Sequence, residues 1–172
     1  LSCHYARCAM RLNLKNIINV PGGVCPFSYE LDLSDLEFGG AHPIDQPVRV
    51  TGQVRNMAGA LVLEGTAATT LHLVCDRCAK PFAREKTVRL ETLLAQELAD
   101  ERSDDEIVLL DGDEVDLDDV ATTAFVLAMD SKNLCSEDCK GICPGCGVDL
   151  NVEACRCKPE VDPRLAVLAK LL

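Results

Sequence analysis

The sequence predicts an α+β fold: an antiparallel, β-rich domain with one or two packing helices, closed by a cysteine-rich C-terminal module. Three observations carry this. Stretches between residues 48 and 94 alternate apolar and polar side chains, the period of a half-buried strand. One stretch after residue 116 instead repeats its apolar residues at helical spacing. Six of the eleven cysteines crowd into residues 135–157.

Taken in order, Val20-Pro21-Gly22-Gly23 reads as a turn leading into a strand over 24–33, and a Pro-containing loop follows at 43–47. Val48, Val50 and Val54 then alternate with Arg49, Thr51, Gln53 and Arg55. Residues 56–59 read as a four-residue hairpin connection ending on Gly59. The next strand, 60–74, turns Leu61, Leu63, Ala67, Leu71 and Leu73 to the core and runs straight into Cys75. Beyond it, Phe82, Val88, Leu90 and Leu94 oppose Glu85, Thr87, Arg89 and Glu91, a further strand with a helical turn expected near 93–98. A helix is expected from Asp116 or Asp118, because Leu117, Val120, Ala121, Ala124, Phe125 and Ala128 share one face and acidic residues suit its first turn. After the cysteines, Asp162-Pro163 opens a short final helix over 164–172.

The chain has 172 residues, enough for one real core with a small appendage. We divide it into residues 1–9, a β-rich α+β domain over 10–130, and a cysteine-rich module over 131–172. Leu1 is not a methionine, whereas Met10-Arg11-Leu12 reads like a natural start, so residues 1–9 read as an upstream extension or a fragment boundary and Cys3, His4 and Cys8 carry little weight. No basic-then-apolar signal follows Met10, and no apolar run reaches the ~20 residues of a membrane span, so the chain reads as cytoplasmic with no membrane partner. With no tryptophan and 3% aromatics, it lacks the material of a base-stacking platform. The net charge of −11 comes from residues 97–119, which hold twelve acidic side chains against Arg102. Such a belt reads as a solvated loop, with docking of a basic protein as the sharper reading.

Thiols this dense, with no secretory signal, point to metal rather than to disulfides. Cys143-Pro144-Gly145-Cys146-Gly147 has the form of a zinc knuckle, in which Gly147 takes the positive φ that aims backbone N–H groups at sulfur. Cys155 and Cys157 then complete a tetrahedral four-thiolate zinc site. A second tier is Cys75 and Cys78 with Cys135 and Cys139, the last two spaced one helical turn apart; alternatively a single zinc binds and Cys135 and Cys139 stay free. The spacing Cys139-x3-Cys143-x2-Cys146 also matches radical SAM enzymes, but too little chain follows for their barrel. An iron–sulfur cluster and a dithiol redox protein using Cys143 and Cys146 are the other readings.

Catalytic machinery is thin. His4, His42 and His72 have neither metal nor triad spacing, no phosphate or dinucleotide loop occurs, and Asp111-Gly112-Asp113-Glu114 reads as a turn rather than a calcium loop. The chain does not read as an enzyme, and no small-molecule substrate is expected. Arg77, Lys80, Arg84, Lys86 and Arg89 surround the first C-x2-C and are opposed only by Glu85. They read either as a charged strand face or as a group presented to RNA phosphates or a partner.

Several of these segments together resemble the YceD family, the bacterial large ribosomal RNA subunit accumulation proteins. The resemblance runs from about Met10 to the C-terminus. It rests on Gly52-x-Val54-x-Asn56, on Leu63-x-Gly65 before Cys75-Asp76-Arg77-Cys78, on Leu134-Cys135 through Cys139-Lys140-Gly141-Ile142-Cys143-Pro144-x-Cys146-Gly147, on Cys155-x-Cys157, and on Asp162-Pro163-Arg164-Leu165. What it implies is a non-enzymatic role in the accumulation of large-subunit ribosomal RNA, hence ribosome assembly, through binding that RNA or a ribosomal protein. It also implies that the Cys75–Cys78 segment stands closer to the shared activity than the tail, whose metal stabilises. The family offers no catalytic residues to transfer.

Overall fold

The alternating stretches form strands and the helical stretch forms a helix. In the computed structural model, which describes residues 10–97 and 107–157, the chain runs β1 (Arg11–Asn13), α1 (Lys15–Ile18), β2 (Val24–Leu31), β3 (Val48–Met57), β4 (Ala60–Val74), β5 (Pro81–Ala95), β6 (Ile107–Leu109), β7 (Glu114–Asp116) and α2 (Leu117–Leu127). Residues 1–9, the 98–106 part of the acidic belt and the helix expected at 164–172 lie outside the described residues. Strands β2 to β6 make one sheet in chain order, with β2, β3 and β4 antiparallel and β6 parallel to β5.

Alternation decides which face is inside. Val48, Val50, Val54, Leu61, Leu63, Ala67, Leu71, Leu73, Val88, Leu90 and Leu94 are buried, while Arg49, Arg55, His72 and Arg89 between them are exposed. Each buried Val or Leu is worth roughly 1.5–3 kcal/mol relative to exposure. Helix α2 adds Leu117, Ala121 and Phe125 to this core. Its start is capped by Asp116, whose Oδ1 accepts from the Asp118 and Asp119 N–H groups at 3.1 Å each. Burial, and then the nearby Asp118 carboxylate in the first turn of α2, push the Tyr29 phenol up.

Two of the quoted motifs have a packing cause. Gly52 of β3 lies opposite Gly65 of β4, and the Phe27 ring fills the space their side chains would take. A Cβ at Gly52 would stand 2.7 Å from Phe27 Cζ and 2.7 Å from Gly65 Cα. Asn56 is 3% exposed and fully used: its Nδ2 donates to the carbonyls of Ile17 and Ile18 at 2.8 and 2.7 Å, and its Oδ1 accepts from the Gly59 N–H at 2.9 Å.

Three expectations shift. Pairing continues to Met57 and Ala60, so the hairpin connection is two residues, Ala58 (φ 54°) and Gly59 (φ 102°), instead of four. No helical turn forms as far as Ala95, because β6 pairs with Leu93, Leu94 and Ala95 and occupies their backbone groups. The described part of the acidic belt is structural as well as solvated. Glu114 to Asp116 pair with β1, Asp111 pairs with Arg11 at 3.0 Å, and Glu114 accepts from Asn13 at 3.2 Å. Asp111 to Glu114 form the expected turn, with Gly112 at φ 64°.

The chain divides into two compact units. Among the described residues, one comprises 10–73, 83–97 and 107–131 and holds the sheet and helices; the other comprises Val74–Phe82 and 132–157. The first C-x2-C therefore folds with the tail, not with the strands that flank it in sequence. Among the described residues, no helix is long and apolar enough to cross a membrane.

Candidate metal centres

Both C-x2-C segments adopt the same turn. In the first, the Ala79 N–H donates to the Cys75 carbonyl at 2.8 Å and the Cys75 N–H to the Lys80 carbonyl at 2.9 Å. In the second, the Gly147 N–H donates to the Cys143 carbonyl and the Cys143 N–H to the Val148 carbonyl, each at 2.8 Å. The residue after the second cysteine is left-handed in both, Ala79 at φ 55° and Gly147 at φ 72°. Glycine takes that geometry freely and alanine under strain. This turn folds backbone N–H groups toward the sulfurs.

The sulfurs converge in two sets. Cys75, Cys78, Cys135 and Cys139 form one, Cys143, Cys146, Cys155 and Cys157 the other, and within each set all four sulfurs lie within 4.8 Å of one another. Four sulfurs about 2.3 Å from one tetrahedral ion stand about 3.8 Å apart, by geometry from the zinc–thiolate bond length. The observed separations are 3.8 Å for Cys75–Cys139, 3.7 Å for Cys78–Cys135 and 3.7 Å for Cys146–Cys155, with Cys143–Cys155 tighter at 3.1 Å. All nine cysteines among the described residues are free thiols, Cys25 standing outside both sets. The first set is the more enclosed: Cys75, Cys78 and Cys139 are buried with Phe82 and Leu134 packed against them.

Each set also splits electrostatically. The Cys135 N–H, helped by those of Cys78 and Arg77, holds the Cys75 thiol down at about 6. In the second set the Cys146 N–H leads in holding Cys143 at about 6. Crowding does the opposite to their neighbours. The Cys139 sulfur and then burial push Cys135 up to about 12, and the Cys146 and Cys155 sulfurs push Cys157 up to about 12. Four sulfurs this close can all be thiolates only with a cation among them, so the donor sets fit a divalent ion that takes soft ligands, such as zinc.

The basic residues are all engaged. Arg77 Nη1 donates to the carbonyls of Glu137 and Cys139 at 3.2 and 2.8 Å, and Lys80 pairs with Asp149. That pairing holds the Asp149 carboxyl at about 2 and raises Lys80. Arg84 and Lys86 reach Asp130 beyond α2 at 3.5 and 3.2 Å, and Arg89 reaches Glu91 at 2.9 Å. Asp76 accepts from the Asn133 N–H at 2.6 Å, so both central residues of the first turn hold the chain that carries Cys135 and Cys139. Sequence reasoning quoted Gly141 only as part of the family pattern and gave no role to Asp149 or Asn151. Gly141 was legible as a glycine between ligands; it stands at φ 76° with the Arg77 carbonyl 2.8 Å from where its Cβ would be.

The profile described as "Large ribosomal RNA subunit accumulation protein YceD" matches residues 63–172. Uncharacterized proteins of Mycobacterium bovis and Mycobacterium tuberculosis are 30% identical over 123 residues, 70% of this chain. The chain spans 59% of the length of these relatives. A maize protein named a chloroplastic YCED homolog of large ribosomal RNA subunit accumulation is 26% identical over 186 residues, 90% of this chain and 63% of its own. No solved structure matches. The matched span takes in the Gly65 position, both C-x2-C turns and all eight clustered sulfurs, and the chain belongs to the YceD family.

Proposed function

We propose that this protein is a non-enzymatic ribosome biogenesis factor, needed for accumulation of large-subunit ribosomal RNA, whose cysteine unit is held by zinc at both tetrathiol sets. The observation that carries it is the pairing of family membership with two sets of four converging sulfurs in one unit. Zinc closed by four thiolates is structural, and such sites contribute on the order of 10 kcal/mol to the folding of small modules. The zinc therefore shapes a surface and takes no part in chemistry. A dithiol redox reading of Cys143 and Cys146 leaves Cys155 and Cys157 without a role, although they close the same set.

The contact itself is with ribosomal RNA or a ribosomal protein, and we assign it to the basic group Arg77, Lys80, Arg84, Lys86 and Arg89. Within it Arg89 and Lys80, whose side chains are 77% and 57% exposed, present charge to solvent, whereas Lys86 at 17% serves mainly as a clamp on Asp130. The protein works beside the cytoplasmic ribosome, or its organellar counterpart as the maize relative's name suggests for that protein.

Depleting the protein from cells should lower the ratio of large- to small-subunit ribosomal RNA; an unchanged ratio contradicts the reading. Capture of its partner from extract at rising salt separates the two contacts. Phosphate contacts lose affinity steeply, of order a thousandfold between 50 and 200 mM salt for six contacts, whereas apolar docking holds.

A further inference from the structure

Asn151 lies in the loop joining Cys146 to Cys155, inside the second sulfur set by sequence, yet its side chain serves the first. Its Nδ2 donates to Cys139 Sγ at 3.4 Å, and its Oδ1 accepts from the Lys140 N–H, beside Cys139, at 2.7 Å. The other amide hydrogen goes to Asp149 Oδ1 at 2.8 Å, an atom that also accepts the Asn151 N–H at 2.9 Å. Every polar atom of this side chain is committed. The same loop ties to the first turn once directly and once by way of Gly141. Asp149 pairs with Lys80, two residues beyond Cys78, and the Leu150 N–H donates at 2.9 Å to the carbonyl of Gly141, whose neighbour Ile142 donates to Arg77 O at 3.0 Å.

We propose that the two sulfur sets form one coupled binuclear centre, with Asn151 the positioning residue through which an ion at Cys143, Cys146, Cys155 and Cys157 tightens the first set's hold on its own. The inference rests on the zinc reading above. An ion in the second set bonds Cys146 and Cys155, whose sulfurs already stand 3.7 Å apart, and so locks the loop between them. The fixed loop aims an amide donor at Cys139, one of the first set's buried ligands. A donor to a metal-bound thiolate steadies its charge and orientation, and loss of such an outer contact costs about 10- to 100-fold in metal affinity. Coupling of this kind is reciprocal, so each ion favours the other. A purely local turn by Asn151 would need only the Asp149 contacts and leaves the reach to Cys139 Sγ unaccounted for.

The test uses the full chain loaded with cadmium-113, whose two tetrathiolate environments give separate resonances, titrated with a competing chelator. Both resonances of the unsubstituted protein should vanish over one chelator range. Cys146→Ser should abolish the second resonance and leave the first set's ion released at about tenfold lower chelator. Asn151→Ala should still take up two ions, and lose the first set's ion at about tenfold lower chelator. Asn151→Asp, nearly the same shape, sets a carboxylate against the thiolate and should be weaker still. First-set release unchanged in Cys146→Ser, or Asn151→Ala and Asn151→Asp both matching the unsubstituted protein, overturns the coupling while the two-ion reading stands. Failure of either set to take up cadmium or zinc overturns the two-ion reading and the coupling with it.

Discussion

A methyl group added at Gly52 has nowhere to go: it would stand 2.7 Å from the Phe27 ring and from the Cα of Gly65, the residue it pairs with. Overpacking of a rigid sheet interior costs about 1–3 kcal/mol. Gly52→Ala should therefore lower the urea midpoint of the sheet unit by the equivalent of about 2 kcal/mol, and a midpoint equal to that of the unsubstituted protein contradicts this, because the nearest clash, with the Glu64 carbonyl oxygen, is with backbone that no movement of the Phe27 ring relieves. The glycines and Asn56 were visible in sequence as part of a family pattern, but their reason was not. It needs Phe27 brought over from β2 and Ile17 and Ile18 brought up from α1, partners 25 and more residues away along the chain for Gly52 and Asn56.

At the scale of elements, periodicity did well where it had length to act on. Strand β4 runs over the expected residues, and of the two expected starts of α2, Asp116 and Asp118, it is Asp116 that caps the helix. Strands β1, β6 and β7, at three residues each, are too short to show a period, and they exist because a partner strand takes up their backbone groups. The two C-x2-C turns are the elements on which metal chemistry can be read directly. Thiolate ligation must expel any proton the metal-free sulfurs carry. Cys135 and Cys157, each pushed up to about 12, are protonated at neutral pH in the metal-free sets. Zinc uptake at pH 7 should thus release at least one proton per ion, and the apparent affinity should rise with pH. Calorimetry in buffers of different ionisation enthalpy measures this directly. Heat that does not vary with the buffer contradicts it.

For the whole molecule, the division into two units predicts a divided response to metal removal. The sheet unit has its own core in Val48, Val50, Val54, Leu63 and Phe125, all at 0% exposure, whereas the cysteine unit's buried cluster is made of ligands, Cys75, Cys78 and Cys139, with Phe82 and Leu134 beside them. A strong chelator should strip hydrogen-exchange protection from residues 74–82 and 132–157 and leave β3 and β4 up to Leu73 protected. Uniform loss in both units, or loss in neither, contradicts that assignment.

The sequence by itself determined the strand alternation, the start of α2 and the presence of enough thiols for two four-sulfur sites, because periodicity and composition are local properties that any window of residues displays. Counting eight cysteines into two fours already gave the partition of the sulfurs as an expectation, and only the tertiary structure decided between it and the alternative with Cys135 and Cys139 left free. Cys75 and Cys78 lie more than 50 residues from Cys135 and Cys139, and the spacing of one pair carries no information about the other. The same holds for the basic residues. Charge is written in the chain, but whether a guanidinium faces solvent or braces a carbonyl, as Arg77 does toward Glu137 and Cys139, depends on what folding brings within hydrogen-bond reach of it.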